Sequence, residues 1–192
     1  MMVRFLAVAS LCYLALHFGF QAIQRYAMLP LQHALIGSAA PALLVFPIHG
    51  LRVMCAWLFG PWSIAIMTPT ALAIFAMHVS APNVDPISVN YLLMAVTYLL
   101  SAPLSFCLVR FCLARPDEQM ALEWRVIMLT GLLSGLINVM VYGLLFPPSP
   151  EGQAMMLWLI TKLVGYMTGV FAVLLLLLMV LRLTKRAVRY LS

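Results

Sequence analysis

Long apolar runs alternate with short polar stretches along the chain. The apolar runs are residues 3–20, 31–59, 62–79, 89–113, 125–146 and 154–181. Three polar stretches, at 80–88, 113–124 and 146–153, carry the Pro, Asp, Asn or Ser residues that are typical of connections between helices. A helix crosses a bilayer core of about 30 Å with roughly 20 apolar residues. The pattern therefore predicts an all-α integral membrane protein, a single domain built as a bundle of six transmembrane helices.

The second run, residues 31–59, is the least regular of the six. It is longer than one span needs, and it contains Pro41, Pro47 and Gly50. Irregular backbone at membrane depth is tolerated only when it is buried in protein or lines a cavity, so this region is a candidate wall of a binding site. The alternative is a single kinked and tilted helix. The run ends at a Gly-Pro pair, residues 60–61, which predicts a sharp turn or a kink.

Composition supports this prediction and narrows the possible functions. The chain of 192 residues is 65% hydrophobic and 8% charged, with a mean hydropathy of +1.07. Six spans leave no room for a soluble catalytic or DNA-reading domain. The sequence contains no H-E-x-x-H, G-x-S-x-G or P-loop motif, and no acidic residue lies within an apolar run. We therefore expect no enzymatic activity and no nucleic-acid partner.

The basic residues predict the orientation in the membrane. Eight of the 11 basic residues lie near the N-terminus, around the 113–124 connection or in the C-terminal tail: Arg4, Arg110, Arg115, Arg125, Arg182, Lys185, Arg186 and Arg189. The connections 80–88 and 147–153 contain none. The positive-inside rule then puts both termini on the cytoplasmic side of the membrane. We expect that membrane to be a bacterial inner membrane. The first run resembles a secretory signal but lacks its small-residue cleavage site, so we treat it as the first span.

The cysteines and histidines do not form a metal-binding pattern. The chain has four of each, spread over different apolar runs: Cys12, Cys55, Cys107 and Cys112, and His17, His33, His49 and His78. No C-x-x-C pair is present, so we interpret the cysteines as reduced packing residues. A haem held by two histidines from two helices is conceivable, but scattered membrane histidines are more often packing or hydrogen-bonding groups. We expect no cofactor.

Small residues recur at helical spacing on the last two predicted helices. Gly131 and Gly135 form one G-x-x-x-G pattern, and Gly165 and Gly169 form another. Such residues let two helix backbones approach closely, and the short 146–153 connection makes these helices antiparallel neighbours. The pattern predicts that the two glycine faces pack on each other.

Lys162 is a lone lysine within the last apolar run, close to the glycine face. Residues at similar predicted depth on the other helices are polar: Asn138, Tyr142, Tyr98, Tyr13, His17 and Gln21. These positions predict a polar chamber that opens to the outside and contains one positive charge. In the alternative interpretation, Lys162 lies at the outer boundary of the membrane beside Trp158 and extends its ammonium to water. The helix is longer than the membrane, so both interpretations stay open.

The stretch FPIHGLRVMCAWLFGP, Phe46 to Pro61, resembles the second-helix signature of the substrate-binding S components of energy-coupling-factor vitamin transporters. The chain length, six helices and cytoplasmic termini agree with that family. Two features depart from it. Residues 62–65 read WSIA where the family usually has glycines, and the first helix lacks the A-x-x-x-A through which many S components dock on their transport partner.

The resemblance implies a subunit that captures a small, anionic, vitamin-like molecule without catalysis. Its partners would be the coupling-factor ATPase and transmembrane subunits. Lys162 would pair with a carboxylate or phosphate, Asn138, Tyr142 and Tyr98 would bind the remainder, and residues 47–52 would wall the chamber. Arg52 is a second possible anion partner, unless the second helix is continuous, in which case it extends toward the inner surface. The competing interpretation is a non-catalytic assembly or sensing subunit that packs on other membrane proteins.

Overall fold

The computed structural model describes residues 2–36, 42–79, 89–113, 124–145 and 152–191. These ranges contain seven α-helices: α1 Met2–Ile23, α2 Leu29–Ile36, α3 Pro47–Phe59, α4 Trp62–Val79, α5 Val89–Leu113, α6 Trp124–Leu145 and α7 Gly152–Leu191. A π-helical turn, Gln24–Met28, joins α1 and α2 into one continuous helix. No residue in the described ranges lies in a β-strand, which confirms the predicted all-α class.

Four helical segments are long and apolar enough to cross a membrane. They are Met2–Ile36, Val89–Leu113, Trp124–Leu145 and Met156–Thr184. Trp62–His78 is a shorter apolar helix. The structure thus agrees with a membrane protein, while the count of six spans and the orientation stay predictions.

The expected break between the first two runs is absent. Residues 21–30 are helical, although they lie between the first two apolar runs, 3–20 and 31–59, which were predicted as separate spans. No Gly or Pro occurs between residues 20 and 29, so nothing in the backbone chemistry stops the helix there. Pro30 lies two residues after the end of the π-helical turn, which is capped by a hydrogen bond from the Leu29 N–H to the Gln24 carbonyl oxygen. A π-type turn before a proline re-routes the helical hydrogen bonds that the proline ring disrupts.

The second run is broken, as one of the two interpretations predicted. Residues 42–46 are non-helical, and α3 starts only at Pro47, whose fixed φ suits the first turn of a helix. Helix α3 ends at Phe59 and is capped by Gly60, whose φ of 55° is a conformation that glycine adopts without steric cost. The next helix starts two residues after Gly60, at Trp62. The interpretation as one continuous kinked helix is wrong.

Helix α3 lies in the centre of the bundle. Helices α1, α4, α5, α6 and α7 follow one another as neighbours in an arc, and each of them also contacts α3. All ten residues from Pro47 to Ala56 are buried. With 13 residues, α3 is only about 20 Å long, so it crosses a membrane only together with the segment before it.

The non-helical segment 42–46 is held against α7, and we call it the strap. The Phe46 N–H donates to the Gly165 carbonyl oxygen at 2.8 Å, and the Thr168 hydroxyl donates to the Leu44 carbonyl oxygen. On the other side, Gln32 donates to the Ala42 carbonyl oxygen at 3.1 Å and accepts from the Leu44 N–H at 2.9 Å. These bonds satisfy backbone groups that a membrane could not.

The glycines of α7 let the strap pack closely against this helix. The prediction that they pack on the glycine face of α6 is therefore wrong. A Cβ at Gly165 would overlap the Leu43 carbonyl oxygen, and one at Gly169 would overlap that of Phe46. Helices α6 and α7 are neighbours, as predicted. However, Gly131 and Gly135 face side chains of α7, namely Val170 for the first and Tyr166 with Leu163 for the second. The sequence could not reveal that a third segment lies against α7.

Candidate ligand-binding site

A cavity of about 220 Å³ opens at the N-terminal end of α3. Of the eight residues that the sequence placed at the chamber, seven line this cavity, namely His17, Gln21, Arg52, Tyr98, Asn138, Tyr142 and Lys162, and Tyr13 is not among the lining residues. They come from α1, α3, α5, α6 and α7. Sequence reasoning missed most of the apolar and aromatic part of the lining, of which Phe46, Met94, Val141 and Tyr166 are members. Their only sequence signal was hydrophobicity, which is common to the whole chain.

Arg52 extends into the bundle and is only 3% exposed. Its Nη1 donates to Asn138 Oδ1 at 3.4 Å, and its Nη2 donates to the Tyr98 carbonyl oxygen and to the Ser101 hydroxyl. The guanidinium carbon lies 4.3 Å from the centroid of the Tyr98 ring. The buried Nε has no hydrogen-bond partner. Arg52 therefore does not extend toward the inner surface, because the break before Pro47 puts its helix in the centre of the bundle.

The acceptors around Arg52 are held in place by their own hydrogen bonds. Asn138 Nδ2 donates to Ser101 Oγ at 2.8 Å and to the Ser134 carbonyl oxygen at 2.6 Å. The amide nitrogen is thus occupied, and the amide oxygen faces Arg52. The Ser134 hydroxyl donates to Ser101 Oγ at 3.3 Å. Ser101 and Ser134 support the site in the structure, although neither was among the residues that the sequence predicted to line it.

Lys162 lies between two aromatic rings. Its Nζ is 3.5 Å from the centroid of the Tyr142 ring and 4.3 Å from that of Trp158. The faces of these rings attract a cation, most strongly where water is excluded. Lys162 thus lines the cavity, as the ligand interpretation requires, and lies beside Trp158, as the boundary interpretation requires. Neither interpretation is excluded by this geometry.

The cavity contains two positive charges, whereas the sequence predicted one. Arg52 and Lys162 both line it, and no residue in the described ranges is Asp or Glu. The neighbours of Arg52 are neutral carbonyl, amide and hydroxyl groups, and those of Lys162 are aromatic rings. Within the described part of the chain, neither cation is therefore neutralised by a carboxylate.

The two cations lie against successive turns of α6. Arg52 contacts Asn138, and Lys162 contacts Tyr142. Residues four apart share one face of a helix and are separated by about 6 Å along its axis. A molecule in the cavity would therefore meet one cation at each of two levels.

A chain of hydrogen bonds fixes His17 at the edge of the cavity. The hydroxyl oxygens of Tyr13 and Tyr98 are 2.9 Å apart, and the Tyr98 hydroxyl is 3.0 Å from His17 Nδ1. Tyr13 and His17 are both buried. Every hydroxyl hydrogen finds an acceptor if Tyr13 donates to Tyr98 and Tyr98 donates to His17 Nδ1. His17 then carries its proton on Nε2 and remains a hydrogen-bond donor.

Two aromatic contacts hold the ring of Tyr166, which lines the cavity, in position. Its ring stacks on the imidazole of His49 with centroids 4.5 Å apart, and the Phe46 ring meets it edge-on at 5.4 Å. His49 Nε2 donates to the Gly131 carbonyl oxygen at 3.0 Å. A carbonyl oxygen only accepts, so this bond fixes the tautomer of His49. The prediction that residues 47–52 wall the chamber is met by Ile48 and Arg52, whereas His49 acts through Tyr166.

A second cavity, of about 170 Å³, adjoins the first beneath the strap. Phe46, Tyr142, Lys162 and Tyr166 line both cavities. Trp158 and the strap residues Ala42 and Leu43 complete the second one. Lys162 thus lies between the two spaces.

No group of three or more His, Cys, Asp or Glu residues in the described ranges is arranged to hold a metal ion. The four cysteines are free, and only Cys55 is buried. The described site therefore offers hydrogen-bond donors, aromatic faces and two positive charges. Chemically, these groups suit the binding of an anion.

Comparison of the chain with models of protein families, with curated proteins and with solved structures gives no match. The resemblance of residues 46–61 to the S components therefore stays a prediction from that stretch alone.

Proposed function

We propose that this protein is a multi-pass subunit of a bacterial inner membrane that captures a small anion from the outer side and catalyses no reaction. One observation carries the proposal. Arg52 and Lys162 line the same cavity, and no described carboxylate lies in the bundle to neutralise them.

The energetics of charge burial support this function. A charged side chain at the centre of a membrane costs about 2.5 to 3.5 kcal/mol even on the most lenient scales. Arg52 is buried among neutral acceptors, so it does not escape this cost by reaching the membrane surface. An anionic ligand would offset the cost, because charge-assisted hydrogen bonds are about twice as strong as neutral ones.

The proposed topology has six spans, the second being the strap together with α3. With the N-terminus inside, the cavity faces outward, because it lies near the ends of α4 and α6 that lead into the non-basic connections at 80–88 and 147–153. A reporter fused after Ser192 should then be cytoplasmic, and one inserted at Asn83 should be external. Both reporters on the same side would contradict this topology.

The resemblance to S components of energy-coupling-factor transporters supports the same function. The resembling stretch, Phe46 to Pro61, contains the strap end and α3, and three of its residues line the cavity: Phe46, Ile48 and Arg52. Transport would then require the coupling-factor ATPase and transmembrane subunits as partners. In the alternative function, an assembly or sensing subunit, the polar cavity would bind no free ligand.

Ligand-dependent stabilisation of the purified protein tests the proposal. Thermal unfolding in phosphatidylcholine nanodiscs would be followed in the presence of butyrate, succinate, glutarate, adipate or inorganic phosphate. A ligand present at 100 times its dissociation constant stabilises the folded state by about 2.7 kcal/mol. Trp158 provides a second readout, because its ring lies 4.3 Å from Lys162 Nζ.

Variants assign the effect to the cavity. Lys162→Met and Arg52→Met should each remove most of the stabilisation, whereas Arg182→Met removes an equal charge from an exposed position on the same helix and should leave it unchanged. If no anion stabilises the protein, or if the Arg182 variant loses as much as the Lys162 variant, the capture function is wrong and the assembly or sensing function is favoured.

A further inference from the structure

We infer that the ligand of this cavity is a small dianion with its two anionic groups at opposite ends of a short hydrocarbon chain, that is, a dicarboxylate of about four to six carbons by the volume and spacing given below. The inference rests on the proposed function and specifies its ligand class.

The number of charges is the first argument. A monoanion would neutralise one of the two cations and leave the other, in a site of low dielectric constant, without a counter-charge from the described residues. Each cation also has hydrogen-bonding capacity that the described residues leave unused. Arg52 Nε has no partner, and the ammonium of Lys162 has aromatic faces but no oxygen acceptor among the described residues.

The spacing of the two α6 residues that contact the cations is the second argument. Arg52 and Lys162 lie against residues of α6 that are separated by about 6 Å along the helix axis. An extended dicarboxylate of four to six carbons separates its carboxyl carbons by about 4 to 6 Å, given C–C bonds of about 1.5 Å. Such a molecule can direct one carboxylate to each cation.

The shape and lining of the cavity are the third argument. A cavity of about 150 Å³ holds benzene, with six non-hydrogen atoms, so 220 Å³ holds roughly nine. Dicarboxylates of this length have about eight to ten. Ile48, Met94 and Val141 give the same cavity an apolar wall. Methylene groups fit this wall, whereas inorganic phosphate would leave it in contact with water.

The decisive experiment changes the ligand charge at constant shape. Succinate, glutarate and adipate would each be compared with their monoamides by calorimetric titration of the protein in phosphatidylcholine nanodiscs. The second charge-assisted contact should make the best dicarboxylate bind roughly tenfold to a hundredfold more tightly than its monoamide. This comparison uses the unmodified protein, so it does not depend on whether a variant folds.

The Lys162→Met variant then locates the second charge. It should lower the affinity for the dicarboxylate to that for the monoamide, while changing the affinity for the monoamide by less than about threefold, because the remaining carboxylate pairs with Arg52. Arg182→Met is the control for net charge and should change neither affinity. An equal loss for both ligands in the Lys162 variant would overturn the inference.

The other outcomes separate this inference from the proposed function. If a monoamide or butyrate binds as tightly as any dicarboxylate, the protein captures an anion but not a dianion, and only the inference is wrong. If no mono- or dianion binds, both are wrong. If replacing phosphatidylcholine by phosphatidylglycerol abolishes dicarboxylate binding, the two cations hold a lipid headgroup, which also overturns the inference.

Discussion

Helix α3 borders a polar cavity at Arg52 and an apolar region at the residues that follow. Arg52 faces the cavity, with hydrogen-bonding groups and aromatic rings around it. The residues that follow, Val53, Met54 and Ala56, are part of a buried cluster that contains only apolar side chains. Ala102, Phe106, Ile127, Val170, Val173 and Leu174 complete this cluster, which we call the apolar core. One short helix thus joins a close-packed apolar region to a region in which two cations have no carboxylate among the described residues.

This difference separates stability from binding. Apolar packing and the strap contacts stabilise the fold, whereas buried charges without counter-charges add little to it or reduce it. Residues of the apolar core and the strap should therefore affect stability strongly and residues of the cavity weakly, with the reverse order for ligand binding. Three predictions test this separation.

The largest effect is expected at the contact between α7 and the strap. Gly165→Leu would drive a side chain into the Leu43 carbonyl oxygen, and a backbone atom cannot move away cheaply. We expect a loss of more than about 3 kcal/mol of unfolding free energy, measured by reversible denaturation in mixed micelles. Gly19→Leu is the matched control, because no atom lies within 4 Å of a Cβ at that position. Equal stability of the two variants would show that the strap does not lie against α7.

The next effect contrasts the apolar core with the cavity directly. Ile127 is fully buried in the apolar core, so Ile127→Ala should cost about 2 to 5 kcal/mol, whereas Leu144→Ala at an 82% exposed site of the same helix should cost little. Arg52→Met keeps a long side chain and removes a buried charge. Its unfolding free energy should stay within about 1 kcal/mol of the native value or increase. A loss as large as that of Ile127→Ala would mean that the hydrogen bonds of Arg52 hold the bundle together.

The sequence predicted those parts of the molecule in which local pattern and structure coincide. Helices α5 and α6 occupy 89–113 and 124–145, against predicted runs of 89–113 and 125–146, because each is an apolar run between clear connections. The cavity lining followed from helical spacing and depth, since the residues of a bundle that lie at one level can share one space. Polarity and helical position identified the other six predicted side chains of the lining, whereas Arg52 was suggested only by the resemblance of its segment to the S components.

The sequence predictions that failed, or that stayed open, concerned features that depend on contacts between residues far apart in the sequence. The continuation of the first helix through residues 21–30 was missed because these residues lie between two apolar runs that were interpreted as separate spans. The place of Arg52 depended on the break before Pro47, which the sequence left open. The glycines of α7 indicated a close approach but could not identify the strap as the segment that approaches. Spacing reveals a face of a helix, but it does not reveal which segment covers that face.

The smallest effect on stability is expected in the hydrogen-bonded chain from Tyr13 through Tyr98 to His17, in which polar side chains at the edge of the cavity are hydrogen-bonded to one another. Tyr98→Phe should cost about 1 to 3 kcal/mol, because it leaves two buried groups, the Tyr13 hydroxyl and His17 Nδ1, without partners. Tyr13→Phe should cost only about 0.5 to 1.5 kcal/mol, because Tyr98 can still donate to His17.

The ¹⁵N spectrum of the His17 imidazole determines the direction of this chain. If Tyr13 donates to Tyr98 and Tyr98 donates to Nδ1, the proton of His17 is on Nε2 in the native protein and in Tyr13→Phe alike. In the opposite direction, His17 Nδ1–H donates to Tyr98, and Tyr98 donates to Tyr13. Tyr13→Phe would then leave the Tyr98 hydroxyl without an acceptor, and the tautomer of His17 would change. A change of tautomer in this variant would therefore contradict the assignment of Nε2–H as a donor at the cavity, whereas an unchanged spectrum with a small loss of stability would support it.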